Sequence, residues 1–227
     1  MKVSRFDIAH GKTAGVLLAT CAVLTMVAVS HHPTVHAVRA QDAITGLARI
    51  SLMDGVVHGS LVVMMGALLF ALTVYSGQRG FRNQFVLAAL PIYATAIFAV
   101  TGAALIDGFL IPQFASRYVG EAAETLRAVV PLIHFCAIAI QVLTKFGFAV
   151  MSVAVVLWST DLLFLRGAPR LVGAIGIASS LISALLIATS GYINPHSLGI
   201  IVAVQAIWYL GVATLLIKAN LPVDHDN

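Results

Sequence analysis

Asp54 and His58 are the two residues of this sequence whose types and spacing best suit chemistry. They stand at i and i+4 at the start of the apolar run 53–76, so a helix places both side chains on one face. Lipid offers a carboxylate or an imidazole no partner, so these groups must be hydrated, paired or bound to an ion. The pair therefore predicts a metal-binding or proton-handling site, with a structural ion pair as the alternative.

Further histidines and aspartates fall at the same, outer ends of the predicted helices. This set comprises His31, His32, His36, Asp54, His58, Asp107, His134 and His196. We expect its members to gather in one pocket, because the helices that carry them open toward one aqueous side. The predicted metal ligands are Asp54, His58, Asp107, His134, His31 and His32.

Imidazole and carboxylate groups together suit a transition metal, either iron, copper or zinc. A b-type haem is the alternative cofactor, and it would need only His58 and His134 as axial ligands. His32 and His36 form a second i and i+4 pair that would share an ion if the local structure is helical, although Pro33 follows His32. No Walker motif, nucleophile elbow or zinc-protease signature assigns a catalytic residue.

The Asp-x-x-x-His pattern of Asp54 and His58 is similar to a metal-ligand pair in the membrane subunits of copper-dependent methane and ammonia monooxygenases. Those families place a further histidine at the position that Ala71 holds in this chain. The resemblance covers two residues and implies metal binding. The sequence is not assigned to either family on it.

The composition is that of an integral membrane protein. Of the 227 residues, 60% are hydrophobic and only 10% are charged, and the mean hydropathy is +0.99. The basic residues lie in short clusters between apolar runs, which is typical of topology signals and excludes a nucleic-acid-binding face. Cys21 and Cys136 stand inside apolar runs, where a thiol is usually a small buried hydrophobe.

The pattern predicts an all-α, polytopic membrane helix bundle with six transmembrane helices in a single domain, 1–227. The predicted helices are 13–31, 54–76, 84–107, 143–165, 171–193 and 198–217, with interfacial or outer segments at 33–53 and 108–142. A signal peptide cleaved near Ala40 is the alternative for the first apolar run.

Residues 121–165 are helical by pattern over twice the length that one crossing needs. They either cross twice or cross once, with 121–143 lying on the outer side. Charge favours the second alternative, because it puts Arg166 and Arg170 on the same side as Arg79 and Arg82. Both termini are then cytoplasmic, in the plasma (inner) membrane, and Asp161 has Arg166 or Arg170 as its expected ion-pair partner.

Three functions are compatible with these observations. The first is a metal- or haem-binding membrane enzyme or redox subunit acting on a hydrophobic small molecule. The second is a small transporter or channel with a histidine-lined outer vestibule. The third is a non-catalytic subunit that binds another membrane protein through a stripe of small residues, Gly173, Gly176, Ser179, Ser180 and Ser183.

Overall fold

The computed structural model describes residues 5–35 and 39–218, with side chains from residue 10 onward. Within these ranges the chain is helical and contains no strand. The elements are α1 (Arg5–Ser30), α2 (Ala40–Arg79), α3 (Gln84–Leu105), a π-helical turn (Ile106–Leu110), α4 (Ile111–Ser116), α5 (Ala123–Leu163), α6 (Ala168–Thr189) and α7 (Pro195–Ile217).

Six of these helices are long and apolar enough to cross a membrane, as the sequence predicts. They form a bundle in which each helix packs most extensively against two neighbours, in the ring order α1, α2, α3, α5, α6, α7 and back to α1. Large apolar side chains point outward from the ring, among them Val63, Phe98 and Leu185. This combination confirms the all-α bundle and identifies a multi-pass membrane protein.

Aromatic side chains fill the middle of the ring. Trp158 and Trp208 are fully buried and stack with their ring centroids 5.9 Å apart. The Trp158 indole N–H donates to Ser76 Oγ at 3.1 Å, and the hydroxyl groups of Tyr93 and Tyr209 lie 2.9 Å apart. Pairing these polar atoms with each other lets large amphipathic rings pack in a lipid-surrounded core.

The stripe of small residues on α6 is buried inside the chain. A Cβ at Gly173 would lie 2.7 Å from the carbonyl oxygen of Ser159, and one at Gly176 would overlap Ser159 and Trp208. Ser180 is also buried. The stripe therefore allows close packing of α6 on α5 and α7, and the prediction that it forms a docking face for another protein is wrong.

A buried ion pair joins the ends of α2 and α5. Nε and Nη2 of Arg79 donate to the two carboxylate oxygens of Asp161 at 2.7 and 3.0 Å, and Asn83 Nδ2 donates to Oδ1 at 2.6 Å. The expected partners Arg166 and Arg170 are exposed instead. That expectation was wrong because α2 runs to Arg79, which brings its guanidinium group to the level of Asp161.

Helices α2 and α5 contain 40 and 41 residues. Each is therefore about 60 Å long, roughly twice the thickness of a hydrocarbon layer. The parts of α2 and α5 that exceed one crossing pack together. Ile44 of α2 and Leu126 and Val129 of α5 form a second core with Ala115 of α4. We call this part of the molecule, residues 40–53, 106–118 and 123–140, the cap.

The cap extends two of the predicted helices and replaces one predicted loop. Residues 40–53 are the first turns of α2 and are continuous with 54–76, and α5 has no break near residue 143. The predicted loop 108–120 is largely helical, since the π-helical turn leads directly into α4, with Pro112 in its first turn.

Candidate metal centre

His58 lies at the centre of a polar cluster where the cap meets the bundle. Its side chain and that of Asp54 are each 5% exposed. Nδ1 of His58 donates to the Asp54 carbonyl oxygen at 3.0 Å and also lies 3.0 Å from Asp54 Oδ1. The i and i+4 spacing therefore brings the two side chains together, and it orients the His58 ring so that Nδ1 donates within α2 and Nε2 faces away from Asp54.

Asp107 reaches His58 from the π-helical turn that follows α3. Its Oδ2 lies 3.4 Å from Nε2 of His58, on the side of the ring opposite Asp54. The next residue, Gly108, packs directly on the imidazole: a Cβ there would overlap Cβ and Cγ of His58 and lie 2.8 Å from Nδ1. The wider π turn aims the carboxylate, and the absent side chain allows the approach.

His32 completes the cluster from the loop after α1. The backbone N–H groups of His31 and His32 donate to carbonyl groups of the last turn of α1, and Pro33 ends the helix there. Val35 then packs on Gly46, where a Cβ would lie 2.7 Å from Val35 Cγ1. These contacts hold the loop against α2, with the His32 side chain 18% exposed.

Three possible ligand atoms from different elements form a small triangle. Nε2 of His32 and Nε2 of His58 are 3.2 Å apart, and Asp107 Oδ2 lies 3.4 Å from each of them. At the ~2.05 Å typical of zinc–nitrogen and zinc–oxygen bonds, two ligand atoms of a tetrahedral ion lie about 3.3 Å apart. The triangle therefore has the dimensions of one face of a metal coordination sphere.

The charges around this triangle favour a positive charge inside it. With the Nδ1 proton of His58 directed at Asp54, a neutral His58 turns a lone pair toward the anionic Asp107, at 3.4 Å. Asp54 Oδ1 has only its 3.0 Å contact with His58 Nδ1, and His32 Nδ1 is buried with no hydrogen-bond partner among the described residues. Either an additional proton on the imidazoles or a metal ion between them relieves the repulsion.

A second possible ligand set substitutes Asp54 for Asp107. One ligand atom each from His32, Asp54 and His58 lies within 4.8 Å of the other two, which is a looser arrangement than the triangle. Asp54 faces Nδ1 of His58, whereas His32 and Asp107 face Nε2. We therefore place Asp54 behind His58, in the position of the carboxylate that orients a metal-binding histidine.

The remaining predicted site residues lie elsewhere. His31 is exposed, and its Nδ1 contacts the Val27 carbonyl oxygen at 2.9 Å. His134 is exposed on α5, and none of the described contacts joins it to the cluster. His196 is exposed at the start of α7. The predicted pair of His32 and His36 involves a residue outside the described ranges, and His32 itself lies beyond the end of α1.

The sequence predicts all four clustered side chains as metal ligands, whereas the geometry places Asp54 behind His58. The Asp54 and His58 spacing is visible in any helix, whereas the meeting of His32 and Asp107 depends on a loop and a π turn. Gly108 was the one available signal, because a glycine beside a carboxylate in an apolar segment indicates a close approach. Comparison with protein-family models, curated proteins and solved structures gives no match to the chain.

Proposed function

We propose that this membrane protein binds one transition-metal ion through His32, His58 and Asp107, with Asp54 orienting His58. The observation that carries the proposal is the triangle of two Nε2 atoms and one carboxylate oxygen at 3.2, 3.4 and 3.4 Å. Shared protons among these atoms also produce separations of this size, and an ion at ~2.05 Å from each of the three atoms fits the same triangle.

Two imidazoles and one carboxylate on one side of an ion leave the opposite side open. This ligand set is typical of catalytic sites, namely non-haem iron(II) oxygenases and zinc enzymes in which water or substrate takes the open position. The proposed function is therefore a membrane metalloenzyme with iron(II) or zinc as the favoured ion. Copper remains compatible with the same nitrogen and oxygen donors.

A single ion is better supported than haem. Nε2 of His58, the atom that would bind haem iron, faces His32 and Asp107 at 3.2 and 3.4 Å, which leaves no space for a porphyrin between them. The second proposed axial ligand, His134, is exposed on α5. Its neighbours Leu132 and Phe135 are exposed as well, so this face of α5 offers no enclosed pocket for a large planar group.

The transporter alternative has less support. A carrier needs a polar path from the metal site to the far end of the bundle. Trp158, Trp208, Tyr75 and Tyr93 are fully buried across the middle of the ring, and the Arg79–Asp161 pair lies beyond them. A closed aromatic layer of this kind favours a fixed site at one membrane surface.

The distribution of basic residues gives the proposed orientation of the bundle in the membrane. The end opposite the cap holds Arg79, Arg82, Arg166, Arg170 and Lys218 together with the basic start of α1, and these outnumber the basic residues on the cap side, Arg39, Arg49, Arg117, Arg127 and Lys145. By the preference of basic loops for the cytoplasm, that end faces inward and the metal centre and cap face outward. We propose the plasma (inner) membrane as the location, with both termini cytoplasmic.

Elemental analysis and an absorption spectrum of the purified protein test this proposal. We expect about one iron or zinc ion per chain, with none retained by His58→Ala. His134→Ala is the matched control, because it removes an exposed imidazole outside the cluster. Equal metal content in the two variants, or wild-type protein with no metal after growth and purification with added iron and zinc, would contradict the proposal. A Soret band would restore the haem alternative.

A further inference from the structure

Exposed arginines and phenylalanines lie together at the end of the bundle opposite the cap. Phe81 and Arg82 belong to the turn between α2 and α3, and Phe164, Arg166 and Arg170 belong to the turn between α5 and α6 and the start of α6. We call these five residues the basic junction. All five are exposed, with Phe164 at 76% and Phe81 at 46%. The surface therefore presents positive charge and apolar rings side by side.

Buried contacts hold the two turns of the basic junction against each other. Asn83, at the end of the first turn, donates from Nδ2 to Asp161 Oδ1 at 2.6 Å, while its own Oδ1 accepts the N–H of Phe85 at 3.0 Å. Arg79 donates to both carboxylate oxygens of the same aspartate. The ring of Phe85 then stacks on that of Phe164, with the centroids 6.2 Å apart. The basic junction is therefore one fixed surface built from two turns.

The charge of this surface is positive. Asp161 is the only acidic side chain at this end among residues 10–35 and 39–218, and it is 3% exposed, with its oxygens occupied by Arg79 and Asn83. The side chains of Arg166 and Arg170 make no hydrogen bond or ion pair with another described residue. The other described acids lie toward the cap, namely Asp42, Asp54, Asp107, Glu121 and Glu124. The partner that this surface fits is therefore an anion.

The position of the basic junction favours a lipid as that anion. Phe164 follows the last residue of α5, so its exposed ring lies at the boundary between hydrocarbon and head groups, and Leu171, beside Arg170, is 65% exposed. A soluble anion would contact the arginines alone, whereas a phospholipid contacts the arginines with its head group and the apolar side chains with its acyl chains. The preference of basic loops for the cytoplasm explains which end carries the arginines, but it does not require them to gather beside exposed rings.

We propose that the basic junction binds an anionic phospholipid, with the head-group phosphate at Arg166 and Arg170 and an acyl chain against Phe164 and Leu171. The lipid is of the phosphatidylglycerol type, which has a net negative charge, whereas the ammonium group of phosphatidylcholine cancels that charge. The site lies at the opposite end of the bundle from His58, and it does not depend on the proposed metal centre.

Native mass spectrometry of the full-length protein in a non-ionic detergent tests the proposal. Palmitoyl-oleoyl-phosphatidylglycerol is titrated, and the apparent Kd of the first bound lipid is compared with that of the phosphatidylcholine with the same chains. We expect the wild type to bind phosphatidylglycerol more tightly, and the double variant Arg166→Gln, Arg170→Gln to lose about tenfold or more of that affinity. Arg49→Gln with Arg117→Gln is the matched control, because it removes two exposed arginines on the cap side.

Phe164→Ala separates a lipid from a soluble anion. Loss of the ring should weaken phosphatidylglycerol binding, because the acyl chain loses an apolar contact. Phe98→Ala is its control, since Phe98 is also 76% exposed but lies within α3, away from the basic junction. Phosphatidylglycerol affinity that depends on Arg166 and Arg170 but is unchanged in Phe164→Ala would overturn the assignment to a lipid.

Equal wild-type affinity for the two lipids, or equal losses in the two double-arginine variants, would overturn the proposal. The other candidate occupant is the end of the chain, since residues 219–227 follow Lys218 and include Asp224 and Asp226. Selective phosphatidylglycerol binding that is absent from the wild type and appears only in Asp224→Asn, Asp226→Asn would assign the basic junction to that segment instead.

Discussion

Gly108 lies directly against the imidazole of His58, so closely that a single methyl group at Gly108 would overlap the ring. The contact joins the π-helical turn to α2 and sets the distance from Asp107 to His58. The geometry of the proposed metal centre therefore depends on a residue that carries no functional group.

Gly108→Ala should weaken metal binding because the added methyl group pushes Asp107 away from His58. We expect a loss of about tenfold or more in affinity, together with about 1–3 kcal/mol of stability, the usual cost of overpacking. Competition with a chelator of known affinity measures the first effect. Gly55→Ala is the control, since its Cβ would make ordinary contacts at 3.7 Å. Unchanged affinity in Gly108→Ala would argue against this placement of Asp107.

Asp107 and Asp54 should differ in their effects because one is a proposed ligand and the other orients a ligand. Asp54→Asn should reduce metal affinity by about 10–100-fold, the usual effect of removing such an orienting carboxylate. Asp107→Asn should reduce it further, because it removes a charged ligand. Chelator competition on both variants gives the order. A larger loss for Asp54→Asn would favour the alternative ligand set of His32, Asp54 and His58.

The ion pair at the other end of the bundle supports stability and not metal binding. Arg79→Ala leaves the buried Asp161 carboxylate without its guanidinium partner and should cost about 3–5 kcal/mol. Arg166→Ala, at the exposed arginine that the sequence offered as the partner, should change stability by about 0.5 kcal/mol or less. Unfolding in mixed micelles measures both. Similar losses would contradict the pairing, and metal content should be unchanged in each.

The packing of α6 depends on Gly176. Gly176→Val would drive its side chain into Ser159 and Trp208, so we expect separation of α6 from α5 and α7 and a marked loss of folded protein. Gly199→Ala, a substitution into open space, should leave the yield of folded protein unchanged. Size-exclusion profiles of the two variants make the comparison. If Gly176→Val remained folded but lost a copurifying protein, the stripe would be a docking face after all.

Much of the fold follows from the sequence, because a chain of this apolar composition must form membrane-spanning helices. Apolar runs longer than a bilayer crossing must be helical to pair their backbone groups, and this condition predicts the number and order of the long helices. The pattern predicts helix over 121–165, and α5 is continuous there, but the extension of α2 back to Ala40 was harder to predict. It arises from packing of Ile44 against Leu126 and Val129, which joins parts of the chain that are far apart in sequence.

The site was predictable only in part, for a related reason. The Asp54 and His58 contact is local and follows from helical spacing. His32 and Asp107 reach it through a loop and a π turn, and neither has a periodic signal in the sequence. His134 is chemically similar to the clustered histidines, but it lies on an exposed face of α5. Residue type selects candidates, and tertiary packing decides which of them meet.

X-ray absorption spectroscopy of the ion bound to the purified protein tests the central claim most directly. We predict nitrogen and oxygen neighbours at about 2.0–2.2 Å, with the outer-shell scattering of two imidazole rings, which should disappear in His58→Ala and persist in His134→Ala. A spectrum with oxygen neighbours alone and no imidazole scattering would contradict the claim that His32 and His58 hold a metal ion.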